Sequence, residues 1–224
     1  MATKIDVYNL PNYQIAEAAH NLGIPVSTLR AWFRGQKGFK RIFAPSQMEP
    51  PLLSFINLVE AYVLASIRRE YKISMPKVRK AIQYVSKEFP SKYPLAEQRL
   101  ETDGVSLFLW KSGTLLNITQ EGQLAIQQVM KPYLSRIERE PEGMAVKLYP
   151  FRRSGKPDEP KLIVINPEIS FGRPIIVNTR IPTEVIAERY LAGESISELA
   201  YDYDLKEAEI DEALRYEFWD RRAA

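Results

Sequence analysis

The 224-residue sequence predicts a mainly α-helical fold with small β-hairpins, an α+β class, built in three parts. Apolar residues recur with helical periodicity near both ends of the chain, where glycine and proline separate successive helices. Between these ends, short apolar runs flank glycine- and proline-containing loops, which is typical of β-hairpins. We therefore expect a winged helix-turn-helix over 1–86, a small α+β section over 87–165 and a three-helix module, also like a helix-turn-helix, over 166–224.

The first two helices are predicted between Tyr13 and Gly35. Gly23 interrupts a helical pattern at a point where a residue with positive φ lets the chain turn sharply, and Pro25 suits the start of the next helix. Gly35 ends that second helix. Each helix has one apolar face, formed by Ile15, Ala18, Ala19 and Leu22 in the first and by Leu29, Trp32 and Phe33 in the second.

The residues that face outward on and after the second helix suit nucleic acid. In a helix-turn-helix the second helix enters the major groove, where hydroxyl groups and arginine contact phosphates and base edges. No acid interrupts the basic run from Arg30 to Arg41, and phosphate neutralisation dominates such binding. We predict a DNA-binding surface; the alternative is a helical hairpin with an ordinary solvated basic face. Its residues are Ser27, Thr28, Arg30, Arg34, Lys37, Lys40 and Arg41.

A β-wing and two bracing helices are expected next. Residues Phe39 to Phe43 and the pair Leu52-Leu53 are strand-like on either side of a proline-containing loop. Ser54 and Ser74 are candidate N-caps for the two helices. Basic side chains on these helices can add phosphate contacts, although solvated faces explain most such clusters: Arg68, Arg69, Lys77, Arg79 and Lys80.

Hairpins and one helix are predicted for the middle section. Residues 106–110 and 114–118 flank Lys111-Ser112-Gly113, which indicates a hairpin. Thr119 is expected to cap a helix that Pro132 kinks or divides. Strand-like runs follow over 144–151 and 161–165. The alternating acids Glu138, Glu140 and Glu142 fit a solvated helix end better than an acid–base pair.

The last section predicts three helices with their own caps. Thr183 can cap the first, Ser195 and Glu198 form a capping box for the second, and the third runs from Glu207 to Trp219. This third helix carries five acids against Arg215, so pressing it toward phosphates is unfavourable. We therefore predict a protein-binding or dimerising unit, with these contact residues: Ile210, Leu214, Phe218 and Trp219.

Composition and charge narrow the possible functions. Residues 1–84 carry 12 Lys and Arg against 5 Asp and Glu, a net charge of +7, whereas residues 181–224 carry 5 against 12, a net charge of −7. With no cysteine and one histidine, His20, a zinc site or a catalytic triad is not expected. We predict no catalytic or metal-binding residues and no cofactor. No apolar run is long enough to span a bilayer and no signal peptide is recognisable, so a cytoplasmic protein is expected.

Several strings resemble a known family. The segment YQIAEAAHNLGIPVSTLRAWFRG is similar to the MerR-like heads of VapB-type antitoxins. The strings LSFINLVEAYVLASIRR, IVINPEISFGRPII and TRIPTEVIAERYLAGESISELAYDYDL resemble the long form of that family. The resemblance implies a non-enzymatic antitoxin that binds operator DNA through its N-terminal part and a PIN-like ribonuclease toxin through its C-terminal part. A homodimer is expected, because a palindromic operator has two half-sites.

The resemblance also suggests how the toxin is blocked. A PIN-like site holds a divalent cation with clustered carboxylates, and an arginine can pair with such carboxylates through two hydrogen bonds. The candidates are Arg173, Arg180, Arg221 and Arg222; structural roles for the first pair and a disordered tail for the second are the alternatives. The competing function is a stand-alone MerR-like regulator without a toxin partner, whose middle section binds a small effector.

Overall fold

Helices form most of the structure and short antiparallel strands complete it, which confirms the predicted class. The structure is a computed structural model that describes residues 6–88, 91–96, 104–114, 120–150 and 160–218, without the side chains of residues 110 and 120–122. The chain divides into an N-terminal unit, Met1–Val146, and a C-terminal unit, Lys147–Ala224. The finer division at residues 86 and 165 stays a prediction.

The helix-turn-helix forms at the predicted place. Helices α1 (Ile15–Leu22) and α2 (Val26–Arg34) are joined by Gly23, which adopts φ 61° and ψ 39° and donates its N–H to the carbonyls of Ala19 and His20. Pro25 is the N-cap of α2. The predicted apolar faces are buried, with Leu29, Trp32 and Phe33 of α2 in the core of the unit.

The wing differs from the prediction. A three-stranded antiparallel sheet has the order β1 (Tyr13–Gln14), β3 (Pro51–Leu53), β2 (Gln47–Met48). The strand predicted over Phe39 to Phe43 is wrong, because the N–H groups of Ile42 and Phe43 donate to the carbonyl of Trp32, at 2.8 and 3.1 Å. This segment therefore folds back onto α2, and the hairpin forms further along the chain.

Two helices support the helix-turn-helix. In α3 (Phe55–Tyr71), the Ser54 hydroxyl accepts from the N–H of Asn57 and the Asn57 side chain accepts from the N–H of Ser54, which confirms the predicted cap. Helix α4 (Met75–Glu88) follows. Most side chains of α3 are buried, so this helix forms the centre of the N-terminal unit.

The first strand of the hairpin predicted around Lys111-Ser112-Gly113 is also wrong, and residues 115–118 of its second strand lie outside the described residues. Residues Val105–Lys111 form helix α5, in which Val105, Phe108 and Leu109 are buried together. Their spacing of three and four residues places them on one helical face. Helix α6 (Gln120–Leu134) is not divided at Pro132, which lies in its last turn. Strand β4 (Ile137–Arg139) then pairs with the start of β5 (Ala145–Leu148). The predicted cap Thr119 lies outside the described residues.

Glu60 is buried on α3, in the interior of the N-terminal unit. Its carboxyl group accepts a long hydrogen bond of 3.5 Å from the N–H of Leu95 and is hydrogen-bonded to Asn57. Burial raises the pKa of Glu60 from its ordinary value of 4.5 to about 8. The folded protein therefore holds this group protonated at neutral pH, whereas the unfolded chain ionises it.

We expect Glu60→Gln to stabilise the protein in alkaline solution. As the pH rises from 4.5 to about 8, the unfolded chain loses this proton and the folded chain keeps it, so the free energy of unfolding falls. The variant lacks this loss, which amounts to a few kcal/mol. Thermal unfolding should give a higher Tm for the variant at about pH 8.5 and little or no gain at about pH 5. Glu142→Gln, at an exposed position, is the control. If Tm depended on pH equally in the natural protein, Glu60→Gln and Glu142→Gln, the raised pKa of Glu60 would be contradicted.

The C-terminal unit combines short strands with three helices. Strand β6 (Ile163–Ile165) pairs with β7 (Pro174–Ile176), and Leu148 at the end of β5 pairs with Ile165. A 3-10 turn (Ser170–Gly172) lies between β6 and β7. The helices are α7 (Thr183–Leu191), α8 (Ile196–Tyr203) and α9 (Glu207–Phe218). They enclose one core: Ile163, Ile176, Ile186, Ala187, Leu199, Ala200, Ile210, Ala213, Leu214 and Tyr216.

The helix caps in this unit were predicted with mixed success. The capping box of Ser195 and Glu198 is confirmed. Thr183 does not cap α7: Pro182 is the N-cap, and Thr183 is the first helical residue. Its side chain is buried, and its hydroxyl donates to the carboxylate of Glu217. Thr183 therefore ties the start of α7 to the end of α9.

Candidate functional site

The outward face of α2 forms the first candidate site. Ser27, Arg30 and Arg34 are exposed, and Thr28 is half-buried at the first turn of the helix. Their common face follows from the burial of Leu29, Trp32 and Phe33 on the opposite side. The structure thus leaves the predicted residues of the recognition helix accessible to a large partner.

The other three predicted DNA-binding residues follow α2 in a tight basic turn. Gln36 and Phe39 exchange backbone hydrogen bonds of 3.0 and 2.8 Å. Gly35 has φ +81°, and a Cβ there would lie 2.8 Å from the carbonyl oxygen of Phe39, so the turn requires glycine at this position. The turn leaves these side chains exposed: Lys37, Lys40 and Arg41.

A groove connects α2 with the wing. It has a volume of about 480 Å³, with Arg30 and Arg34 on one side and Pro50 and Leu52 on the other. The wing also contacts the basic turn, since a guanidinium N–H of Arg41 lies 3.2 Å from the sulfur of Met48. The two candidate elements, helix and wing, therefore border one concave surface.

The described residues do not neutralise the charges on this surface. Arg30, Arg34, Lys37, Lys40 and Arg41 form no ion pair with any carboxylate among the described residues. Cations left close together without counter-charges repel one another and attract a polyanion. This surface is therefore suited to contact with phosphates.

Of the four arginines that the structure describes in the C-terminal unit, three are paired within the unit. Arg173 binds Glu184 at 2.5 Å, Arg189 bridges Glu194 and Asp202, and Arg215 binds Asp211. Arg189 is hydrogen-bonded to Glu194, Tyr203 and Asp202, and these contacts raise the pKa of its guanidinium above the ordinary value. Arg173, a predicted toxin-binding residue, is thus held against the start of α7.

Arg180 differs from Arg173 because its guanidinium is exposed and bonds to no described residue. It borders a cleft of about 470 Å³ that is also lined by Asn166, Asn178 and Tyr149. The turn that carries it is fixed: the N–H of Ile176 donates to the carbonyl of Ile181 at 3.1 Å, and the Ser170 hydroxyl donates to the carbonyl of Arg180 at 3.0 Å. The structure therefore holds an unpaired arginine at the edge of a polar-rimmed cleft.

The predicted partner residues on α9 are not all available to a partner. Ile210 and Leu214 are buried in the core of the C-terminal unit, so their side chains present no surface in this conformation. Phe218 is partly buried, and its ring centroid lies 6.3 Å from that of Tyr190. Trp219, Arg221 and Arg222 lie outside the described residues.

Large apolar side chains that the sequence analysis did not assign are exposed on the C-terminal unit. Tyr201 is 88% exposed and Leu191 is 59% exposed. Tyr201 directly follows Leu199 and Ala200, the buried residues of α8. The helical periodicity of the sequence could therefore have predicted that Tyr201 points away from the core. Exposed aromatic side chains are enriched at protein–protein contacts.

The described part of the chain offers neither a membrane-spanning helix nor a metal-binding cluster. None of its helices combines the length and apolar character needed to cross a membrane. Among the same residues, no group of three or more His, Asp or Glu side chains is placed to hold a metal ion.

Comparisons with known proteins show a local sequence match and a shared fold. Residues 163–216, which contain β6, β7 and most of the three helices, match a family model described as a protein of unknown function, DUF433. The whole fold is similar to the crystal structure of Rv2018 from Mycobacterium tuberculosis, with a TM-score of 0.69, 24% identity, and coverage of 92% of this chain and 98% of that chain. This likeness establishes a shared fold.

Two curated relatives, both from Mycobacterium tuberculosis, align along most of the chain. One, named "Putative antitoxin VapB45", is 23% identical over 92% of this chain and 94% of the relative. The other, "Uncharacterized protein Rv2308", is 27% identical over 91% of this chain and 89% of the relative. The chain is therefore similar, over nearly its whole length, to a protein named as an antitoxin.

Proposed function

We propose that this protein is the antitoxin of a type II toxin–antitoxin system, of the long form with a MerR-like head. It binds operator DNA through the N-terminal unit, which represses its own operon, and it neutralises a PIN-like ribonuclease toxin through the C-terminal unit. It acts as a non-enzymatic homodimer in the cytoplasm. The similarity to the VapB45-named relative supports the antitoxin class. Among the described residues, the cations of α2 and the basic turn have no carboxylate partner, whereas most arginines of the C-terminal unit do. This difference supports DNA binding by the N-terminal unit and toxin binding by the C-terminal unit.

The unpaired basic surface is the single observation that carries the DNA-binding half of the proposal. Five cations of α2 and the following turn have no carboxylate partner among the described residues, whereas three arginines of the C-terminal unit do. Each phosphate contact releases condensed counterions, which supplies much of the binding free energy. Arg30 and Arg34 lie one helical turn apart on the exposed face and can both reach the major groove.

The C-terminal unit is proposed to hold the toxin. Its acidic helix α9 is unfavourable for DNA, because Glu207 and Asp211 share one face, whose carboxylates phosphates would repel. Arg180, unpaired at the rim of its cleft, is the described arginine best placed to reach carboxylates of another protein. The exposed Tyr201 and Leu191 supply apolar contact area on the same unit.

Co-expression with the neighbouring gene product tests this function. We expect a PIN-like ribonuclease encoded beside this gene to co-purify with the full-length chain and to lose its RNase activity in the complex. The same complex should shift a DNA duplex that spans the upstream region of the operon, and the shift should weaken with salt. DNA binding without any toxin partner would instead support the stand-alone regulator, and failure of both assays would overturn the proposal.

A further inference from the structure

A second small hollow lies beside α2, next to the groove that leads to the wing. It has a volume of about 260 Å³ and is lined by residues of four segments: the start of α2, the basic turn, the end of α3 and the start of α4. Its polar lining consists of hydrogen-bond donors: Ser27, Thr28, Gln36, Arg68 and Arg79. No carboxylate lines it, so the hollow is positively charged.

Both guanidinium groups are held in place by aromatic rings and backbone carbonyls. Arg68 stacks 5.8 Å from the centre of the Trp32 ring and donates its Nε–H to the carbonyl of Ile73. Arg79 stacks 5.0 Å from the centre of the Phe39 ring and donates from Nη2 to the carbonyl of Lys40. Such contacts fix the positions of the remaining N–H groups in advance, which lowers the cost of binding a ligand.

Within the part of the chain that the structure describes, neither arginine has a counter-charge. Arg68 and Arg79 form no ion pair with any carboxylate that the structure describes. The Nε of Arg79 is buried and has no acceptor there. Burial lowers the pKa of the Arg68 guanidinium, because its charge is partly removed from water without compensation. A bound anion would satisfy these donors and offset that cost.

We propose that this hollow is a phosphate-binding site that holds a backbone phosphate of the operator. The guanidinium N–H groups that these backbone contacts leave free, together with two hydroxyl groups, match the several acceptor oxygens of a tetrahedral phosphate. The DNA origin of the phosphate rests on the proposed function. A free phosphorylated molecule has the same chemistry and is distinguished by the test below.

The experiment compares the full-length protein with Arg68→Gln and Arg79→Gln. The matched controls are Lys87→Gln and Lys131→Gln, each of which removes one exposed charge outside the hollow, from α4 and from α6. One arm titrates inorganic phosphate and follows the backbone amide NMR signals of Ser27 and Thr28. The other arm measures affinity for the upstream duplex over a series of salt concentrations. An Arg79→Lys variant keeps the charge without the fork, and thermal unfolding reports whether each variant is folded.

In the natural protein and in both controls, we expect added phosphate to shift the amide signals of Ser27 and Thr28 until they reach a plateau. These phosphate-induced shifts, called phosphate shifts below, should be lost in each Arg→Gln variant. The slope of log affinity against log salt should fall by about 0.9 for each lost phosphate contact, with a larger fall for Arg79→Gln than for the control lysines. Unchanged phosphate shifts in folded Arg68→Gln and Arg79→Gln would overturn the site. Lost phosphate shifts with an unchanged DNA slope would overturn the DNA origin and assign the site to a free phosphorylated molecule. If the natural protein binds no DNA, the proposed function fails while the phosphate arm still decides the site.

Discussion

Replacing both Arg30 and Arg34 with alanine is expected to weaken operator binding by roughly 100-fold or more. The two guanidinium groups are exposed on α2, border the groove to the wing and have no carboxylate partner among the described residues. A bidentate arginine–guanine contact contributes about 1–3 kcal/mol, and an arginine–phosphate contact adds a salt-dependent term. Fluorescence anisotropy with the upstream duplex, at fixed and at varied salt, measures both effects.

The matched control is Lys87→Ala with Lys131→Ala, which removes two exposed charges from α4 and α6 of the same unit. This double variant changes the net charge by the same amount as the Arg30 and Arg34 double variant. Any difference in affinity between the two proteins therefore reflects where the charges lie. We expect at most a few-fold loss of affinity for it. Equal losses in the two double variants would mean that binding depends on net charge alone, and the recognition role of α2 would then be abandoned. Circular dichroism verifies that both proteins are folded.

The success of the fold prediction followed the strength of the local signals. The first two helices combine a clear helical periodicity with Gly23 at the turn, and the capping box at Ser195 and Glu198 specifies a helix start from two side chains. The segment 105–111 has no such signal, because a run of six apolar or small residues fits a strand as well as a helix. Its conformation is decided by the burial of Phe108 and Leu109 against distant helices, which sequence periodicity does not report.

The candidate sites were predictable where a single segment carries them. The absence of acids between Arg30 and Arg41 pointed to a basic surface, and the structure exposes those side chains. Arg68 and Arg79 were predicted as possible phosphate contacts, but the hollow that joins them beside α2 was not, because they reach it from helices about 40–50 positions along the chain. Similarly, the ion pair between Arg173 and Glu184 depends on how the 3-10 turn meets α7. Spacing alone did not separate this paired arginine from the unpaired Arg180.

That difference between the two arginines leads to the second large effect. Arg180→Ala is expected to weaken toxin binding by roughly 30-fold or more, because truncating one member of a buried intermolecular charge pair costs about 2–5 kcal/mol. Arg173→Ala should affect toxin binding less, because its guanidinium is already bound to Glu184 and is partly exposed. Arg180→Glu should have the largest effect, since a carboxylate would then face the toxin's own carboxylates.

Titration of the purified toxin against each variant, with RNase activity and calorimetry as the two readouts, tests this order. Arg215→Ala on α9 is the control, because it removes an exposed, internally paired arginine from the same unit. Thermal unfolding separates lost contact from lost folding. Undiminished inhibition by Arg180→Ala, together with loss of inhibition in an Arg221→Ala and Arg222→Ala variant, would assign toxin blocking to the C-terminal tail. Because Arg180 is held on a turn fixed by Ile176, Ile181 and Ser170, a loss seen with Arg180→Ala but not with Arg215→Ala would identify it as a preorganised contact.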